Sequence, residues 1–217
     1  MPTAPVRVDV WSDIACPFCY IGKRNLEAAV STSGVPVEIT YRSFQLDPDL
    51  PEDITGSNAE QLAAKMGVTV ERARGMERQT TTMAQQVGLD FDYERMQPAN
   101  TFHAHRLLHL ARAHGRQAEL KDRLLSAFFV EGRHVGHLEE LADLAAEAGL
   151  DRDVAIAALA DGSFAAEVAD DVARARAYGI TGVPFFVLDE KLAVSGAQPA
   201  EVFVEALQRA VAEQEAA

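Results

Sequence analysis

The sequence predicts an α/β domain split by a large all-helical insertion, and three observations predict it. Apolar and polar residues alternate, as in a half-buried strand, only towards the two ends of the 217-residue chain. The interval between them, residues 57–178, carries apolar residues at helical spacing and no convincing strand. The two cysteines fall together as Cys16-Pro17-Phe18-Cys19, directly after the first alternating segment. With 48% of its residues hydrophobic, the chain can bury a substantial core, as one large domain or as one domain carrying an insertion.

Residues 6–11 alternate and read as the first strand, and residues 17–30 read as a helix. Pro17 suits the first helical position, where its missing N–H has no partner to lose. Residues 37–42 alternate again and give a second strand ending near Phe44. Two prolines and several acids at residues 47–52 mark an irregular exit, with a boundary near residue 56.

Within the helical interval, Leu120, Leu124, Leu125, Phe128 and Phe129 share one face, as do Leu138, Leu141, Ala142, Ala145 and Ala148, and then Phe164, Val168, Val172 and Ala175. Gly132, Gly149 and Gly162 punctuate these helices, Asp151 and Ser163 read as helix N-caps, and Pro98 with Asn100 marks a break before a helix beginning around Phe102. Strand signals return at residues 184–188 and 191–195, joined by a turn at Asp189 and Glu190. Pro199 opens a last amphipathic helix bearing Val202, Phe203, Ala206, Leu207, Ala210 and Val211. Strand-helix-strand, helical block, then strand-strand-helix is the order of a thioredoxin fold carrying an insertion. Residues 1–56 and 179–217 form the thioredoxin-like domain, and residues 57–178 the inserted helical domain.

Cysteines three apart on a helix lie on one face, roughly 5 to 6 Å apart, close enough to join. Cys16, at the helix start, meets unsatisfied backbone N–H groups and the positive end of the helix dipole, which favour the thiolate. Cys16 is thus the expected nucleophile and Cys19, one turn deeper, the resolving thiol. Two bland readings compete. The cysteines are half a zinc site completed by His103, His105, His109 or His114, or they are two buried structural residues. Pro17 and Phe18 in the gap, and the helix directly after it, suit redox chemistry better.

A net charge of −13 and a pI near 4.8 disfavour nucleic acid and anionic lipid surfaces as partners. No run of 18 apolar residues occurs, so no membrane span is expected. Residues 1–7 show no basic region leading into an apolar core, so the expected location is cytoplasmic. There a structural disulfide does not persist, which favours a catalytic or redox-sensing pair.

Several motifs carry a resemblance. They are Trp11-Ser12-Asp13 ahead of Cys16-Pro17-Phe18-Cys19-Tyr20-Ile21-Gly22, then Phe44-Gln45-Leu46-Asp47-Pro48, Asn100-Thr101 with Ala104-His105-Arg106-Leu107, and Thr181-Gly182-Val183-Pro184-Phe185-Phe186-Val187. In this order, over nearly the whole chain, the set resembles the DsbA family of thioredoxin-fold oxidoreductases, in its FrnE-like branch. The resemblance implies a thiol-disulfide oxidoreductase acting on thiol or disulfide substrates. It implies a cis-proline at Pro184 facing the cysteines and Val183 pairing its backbone with substrate. No tightly bound cofactor and no metal are implied, with glutathione as a redox partner. Pro17, Phe18, Asn100 and His105 join the substrate-binding set.

Phe18 departs from the histidine of strongly oxidising relatives and cannot stabilise a thiolate by charge. A milder couple, on the order of −200 to −230 mV, is expected. The chain holds no further cysteine for a second redox pair. The same superfamily includes 2-hydroxychromene-2-carboxylate isomerases and kappa-class glutathione transferases, which use serine at the position of Cys16. A glutathione-dependent small-molecule isomerase is therefore the alternative function. Asp13 reads as a solvated loop carboxylate, and Met66, Met76, Met83 and Met96 read as core filling. The alanine-rich helices offer faces for a homodimer.

Overall fold

A computed structural model describes residues 4–51 and 54–216 of the chain. Strand β1 (Val6–Ser12) leads into helix α1 (Pro17–Ser33), which ends where Gly34 turns left-handed at φ 66°, and strand β2 (Val37–Ser43) follows. The helical block comprises α2 (Asn58–Met66), α3 (Val70–Gln85), α4 (Phe102–Ala113), α5 (Gln117–Ser126), α6 (Leu138–Glu147), α7 (Arg152–Ala160) and α8 (Ala165–Ala177). A π-helical turn, Ala127–Glu131, extends α5. The chain closes with β3 (Phe185–Leu188), β4 (Leu192–Ser195) and α9 (Ala200–Glu215). Among the described residues no helix is long and apolar enough to cross a membrane.

The sheet order is β2-β1-β3-β4. β1 runs parallel to β2, with Val6 opposite Val37, and antiparallel to β3, with Val10 opposite Phe186. The alternation of β1 dictates its two faces. Val6, Val8 and Val10 pack with Leu26 and Ala29 of α1 and Phe203 and Leu207 of α9, while Trp11 points the other way with Val187 onto Ala175 of α8.

Apart from a small cluster of Ala59, Ala63 and Ala73 between α2 and α3, the core of the helical block is shared with the sheet domain. Its main cluster, around Leu107, Leu120, Leu124, Phe128 and Leu141, takes in Ile14, Tyr20 and Ile21 from the β1–α1 junction and α1. Lys23 of α1 also reaches Asp122 of α5 at 2.8 Å. The block further covers the outer edge of β2, which would otherwise present unpaired backbone groups. Gln117 of α5 accepts the Tyr41 N–H at 3.0 Å and donates to the Tyr41 carbonyl at 2.9 Å, as a neighbouring strand would. Asp171 of α8, 4% exposed, accepts the Ser43 N–H at 2.9 Å and pairs with Arg42 at 3.3 Å and with His109 at 3.1 Å, while its carbonyl accepts the Trp11 indole N–H at 3.0 Å.

Asp151 caps α7, accepting the N–H groups of Asp153 at 2.9 Å and Val154 at 3.0 Å. Ser163 caps nothing. Gly162 and Phe164 are both left-handed, at φ 81° and 65°, so the chain enters α8 through Phe164, and Ser163 instead bonds Asp161. Of the predicted irregular exit at residues 47–52, Glu52 lies outside the described residues.

Removing the Asp171 carboxylate strands the buried Ser43 N–H and leaves His109 Nε2 with the Ser43 hydroxyl, at 3.2 Å. Asp171→Ala is expected to cost about 2–4 kcal/mol, read as a lower urea midpoint at unchanged slope. A midpoint within about 0.5 kcal/mol of wild type would show that the β2 edge holds without it.

Candidate active site

Cys16 is the N-cap residue of α1, at φ −98° and ψ 112°, and Pro17 occupies the first turn. The Cys19 N–H closes the first helical hydrogen bond onto the Cys16 carbonyl at 3.0 Å, which fixes the two cysteines one turn apart. Both are free thiols, 3% and 2% exposed. Their surroundings differ. Cys16 lines a cavity, whereas Cys19 lies behind it, and burial, reinforced by the adjacent Cys16, pushes the Cys19 thiol well above its ordinary value.

The Val183-Pro184 peptide bond is cis, and the Cys16 thiol donates to the Val183 carbonyl at 3.5 Å. Gly22, one helical turn beyond Cys19, is what lets this loop sit so close. A methyl group there would lie 3.1 Å from Pro184 Cγ and 3.2 Å from Phe186 Cζ.

Behind the cysteines lies a buried polar cluster. Asp13 is 1% exposed, so the solvated carboxylate expected from sequence is a buried one. Its Oδ1 accepts the Ile14 N–H at 2.7 Å and faces His105 Nε2 at 3.2 Å, and its Oδ2 accepts the Leu46 N–H at 2.7 Å. Burial pushes the Asp13 carboxyl up, but His105, Leu46 and Thr101 together hold it below the ordinary carboxylate value. Burial pushes His105 down against the pull of Asp13, so the neutral ring donates from Nε2. Lys121 of α5 is also buried, its Nζ 6.0 Å from the Tyr41 ring. Burial lowers its affinity for a proton while Cys19, Asp13 and Cys16 favour its charge.

The cavity beside Cys16 measures about 420 Å³. Pro17, Phe18 and Val183 line it together with Cys16, and α2 and α3 roof it with Leu62, Met66 and Met76. Met83 and Met96 line it too. Of the four methionines read as core filling, Met96 is buried in the main core cluster and half-buried Met83 packs against it, whereas half-buried Met76 and Met66, 51% exposed, belong to the cavity wall. Pro184 is buried beside Cys16.

Two predicted substrate contacts lie elsewhere. His105 is 0% exposed and turned inward to Asp13. Asn100 accepts the Phe102 N–H at 2.9 Å and donates to the carbonyls of Pro48 at 3.2 Å and Leu50 at 2.6 Å, so it caps α4 and pins the loop after β2. The histidines offered to a zinc site are dispersed likewise, His109 bonding Asp171 and His103 bonding Arg106. Sequence reading missed Lys121 and Glu77. The signal for Lys121 was its place on the apolar stripe of Leu124 and Leu125.

A thioredoxin-type sheet with a cysteine pair at a helix start beside a cis-proline loop defines a thioredoxin-fold protein of the oxidoreductase class. The chain belongs to the DSBA-like thioredoxin domain family, whose model matches residues 7–208. A probable DsbA oxidoreductase from Streptomyces coelicolor is 43% identical, with a TM-score of 0.90 over 96% of this chain and 91% of its own. The uncharacterized protein YwbO of Bacillus subtilis is 28% identical over 209 residues, 93% of this chain and 96% of YwbO. A 2-hydroxychromene-2-carboxylate isomerase shares the fold, with a TM-score of 0.72 at 16% identity over 97% of this chain and 98% of its own.

The depressed His105 sets a pH dependence. A group whose folded proton affinity is lowered contributes stability that is complete above its unfolded pKa, about 6.5 for histidine, and is lost as pH falls below it. Wild type is therefore expected to lose stability from about pH 7 to 5, by at most about 1.4 kcal/mol per pH unit from this ring. His105→Gln keeps a donor for Asp13 but does not titrate, so its urea midpoints should fall less steeply over that range. Parallel curves for the two proteins would refute this assignment.

Proposed function

We propose that the protein is a thiol-disulfide oxidoreductase working as a reductase or isomerase of disulfides, in the reducing cytoplasm. The observation that carries the reading is the unequal placement of the two thiols. Cys16 stands at a helix N-cap on the cavity wall, against Val183, and Cys19 is enclosed one turn behind it. The Cys16 thiolate attacks one sulfur of the substrate disulfide, the S–S bond breaks, and one substrate thiolate leaves and takes up a proton. Val183, beside the Cys16 sulfur, holds the substrate backbone. Cys19 then gives up its proton and attacks Cys16 Sγ, releasing the second substrate thiol and forming the Cys16-Cys19 disulfide. Two electrons pass from protein to substrate. An external thiol, glutathione or a dithiol, restores the pair, and no bound cofactor takes part.

The enclosed Cys19 favours this order of events, because its raised proton affinity keeps it a thiol until the mixed disulfide at Cys16 is formed. The roofed cavity favours a second reading, a small-molecule isomerase or transferase that holds glutathione at Cys16. The two differ at Cys19, which only exchange requires.

Equilibration in graded glutathione buffers, with alkylation and mass counting of free thiols, is expected to show one reversible transition involving both cysteines. Cys16→Ser should slow disulfide reduction by about three orders of magnitude or more, and Cys19→Ser should accumulate a mixed disulfide at Cys16. A glutathione adduct on Cys16 without closure of the pair, together with turnover of an aromatic substrate by Cys19→Ser, would replace this reading with the isomerase.

A further inference from the structure

The cavity beside Cys16 holds a buried carboxylate. Glu77 of α3 lines it and is 8% exposed. One oxygen accepts the Asn58 amide at 2.8 Å, and Glu77 makes no ion pair among the described residues. The other polar groups nearby do not neutralise it. The hydroxyls of Thr80 and Tyr93 bond each other at 2.7 Å, and Thr80 also donates to helix carbonyls. Among the described residues no lysine, arginine or histidine lines the cavity, whose remaining wall is mostly methionine, leucine and aromatic side chains.

Such a site discriminates by charge. A carboxylate held out of water with only a neutral amide for company is costly, and a cation entering beside it supplies a charge-assisted hydrogen bond. Thioether walls adapt to an apolar stem of varied shape. An anionic arm meets the opposite situation, a like charge and no cation to receive it.

Resting on the exchange reading above, we propose that the cavity takes a low-molecular-weight disulfide whose arm is an apolar stem ending in a cationic group, with Glu77 as the specificity determinant beside the Cys16 nucleophile. The reaction is unchanged. Cys16 forms the mixed disulfide with the cavity-bound half, the other half leaves as a thiol, and closure by Cys19 releases the rest. The pre-reduced protein itself supplies the two electrons of one turnover.

The test is single-turnover oxidation of the reduced full chain by matched bis(ω-aminoalkyl), bis(ω-hydroxyalkyl) and bis(ω-carboxyalkyl) disulfides of several stem lengths. Loss of both thiols is followed by alkylation and mass. Each rate is divided by that of free dithiothreitol with the same disulfide, which removes intrinsic reactivity. Work at about 1 M salt, where the screening length is about 3 Å, removes the general attraction of an acidic surface. The amino series should exceed the carboxy series by about tenfold or more, and Glu77→Gln should bring the ratio to within about twofold of one. A wild-type ratio near one overturns the proposal whether or not the variant folds, as does a ratio that Glu77→Gln leaves unchanged. So does a disulfide-linked peptide bearing apolar side chains that outcompetes the amino series without dependence on Glu77. If the uncharged hydroxyalkyl disulfide is not reduced at all, the exchange reading fails and this inference with it. If it is reduced without any preference for charge, only this inference fails.

Discussion

The Asp13 carboxylate joins three parts of the chain that meet nowhere else so closely. One oxygen takes the N–H of Ile14 at the entrance to α1 and the ring of His105 on α4, and the other takes the N–H of Leu46 beyond β2. A charge this deeply buried costs on the order of several kcal/mol unless its lone pairs are met. Here backbone and imidazole donors meet them. The result is that the loop delivering Cys16, the exit from β2 and the first turn of α4 are tied together by one group.

Electrostatics behind the cysteine pair follow from the same enclosure. Among the described residues, Lys121 Nζ and His105 Nδ1 are buried without a hydrogen-bond partner. Burial opposes charge on each of Lys121, His105 and Cys19, while Asp13 retains its charge because its donors outweigh burial. The two thiols therefore work in different media although they sit one helical turn apart. Cys16 shares its wall with an apolar cavity, and Cys19 faces a dry cluster containing one anion and an ammonium held reluctantly.

Much of the fold was legible because it is written locally. Alternation placed β1 and β2, Asp151 marked the start of α7 by cap chemistry, and the cysteine spacing marked the start of α1. The candidate site was legible as far as Cys16, Cys19, Pro17, Phe18 and the loop of Val183 and Pro184. What lay hidden depends on partners far along the chain. Asp13 reads as a surface acid until His105, 92 positions away, is brought to it. Glu77 and Lys121 escaped notice because a charge on a helix is solvated by default and only packing overrules that, even where, as for Lys121, the position falls on an apolar stripe. Ser163 looked like a cap because nothing in the sequence marks Phe164, the residue after it, as left-handed. Met66 and Met76 were misassigned, unlike Met96, because a flexible, apolar side chain serves a core and a cavity wall equally.

The order in which the sheet is completed has a consequence for the chain as it is synthesised. β1 gains β2 at once, but its other neighbour is β3, and Val10 must wait for Phe186. The outer edge of β2 waits for Gln117 and then Asp171. At about 5–20 residues per second, the growing chain holds a two-stranded ribbon with open edges on both sides for many seconds before its last strands exist. During that interval both thiols are already present without the Val183-Pro184 loop that faces Cys16, so the nascent protein is exposed to mispairing with other chains, through sulfur as well as backbone, until nearly the whole sequence has been made.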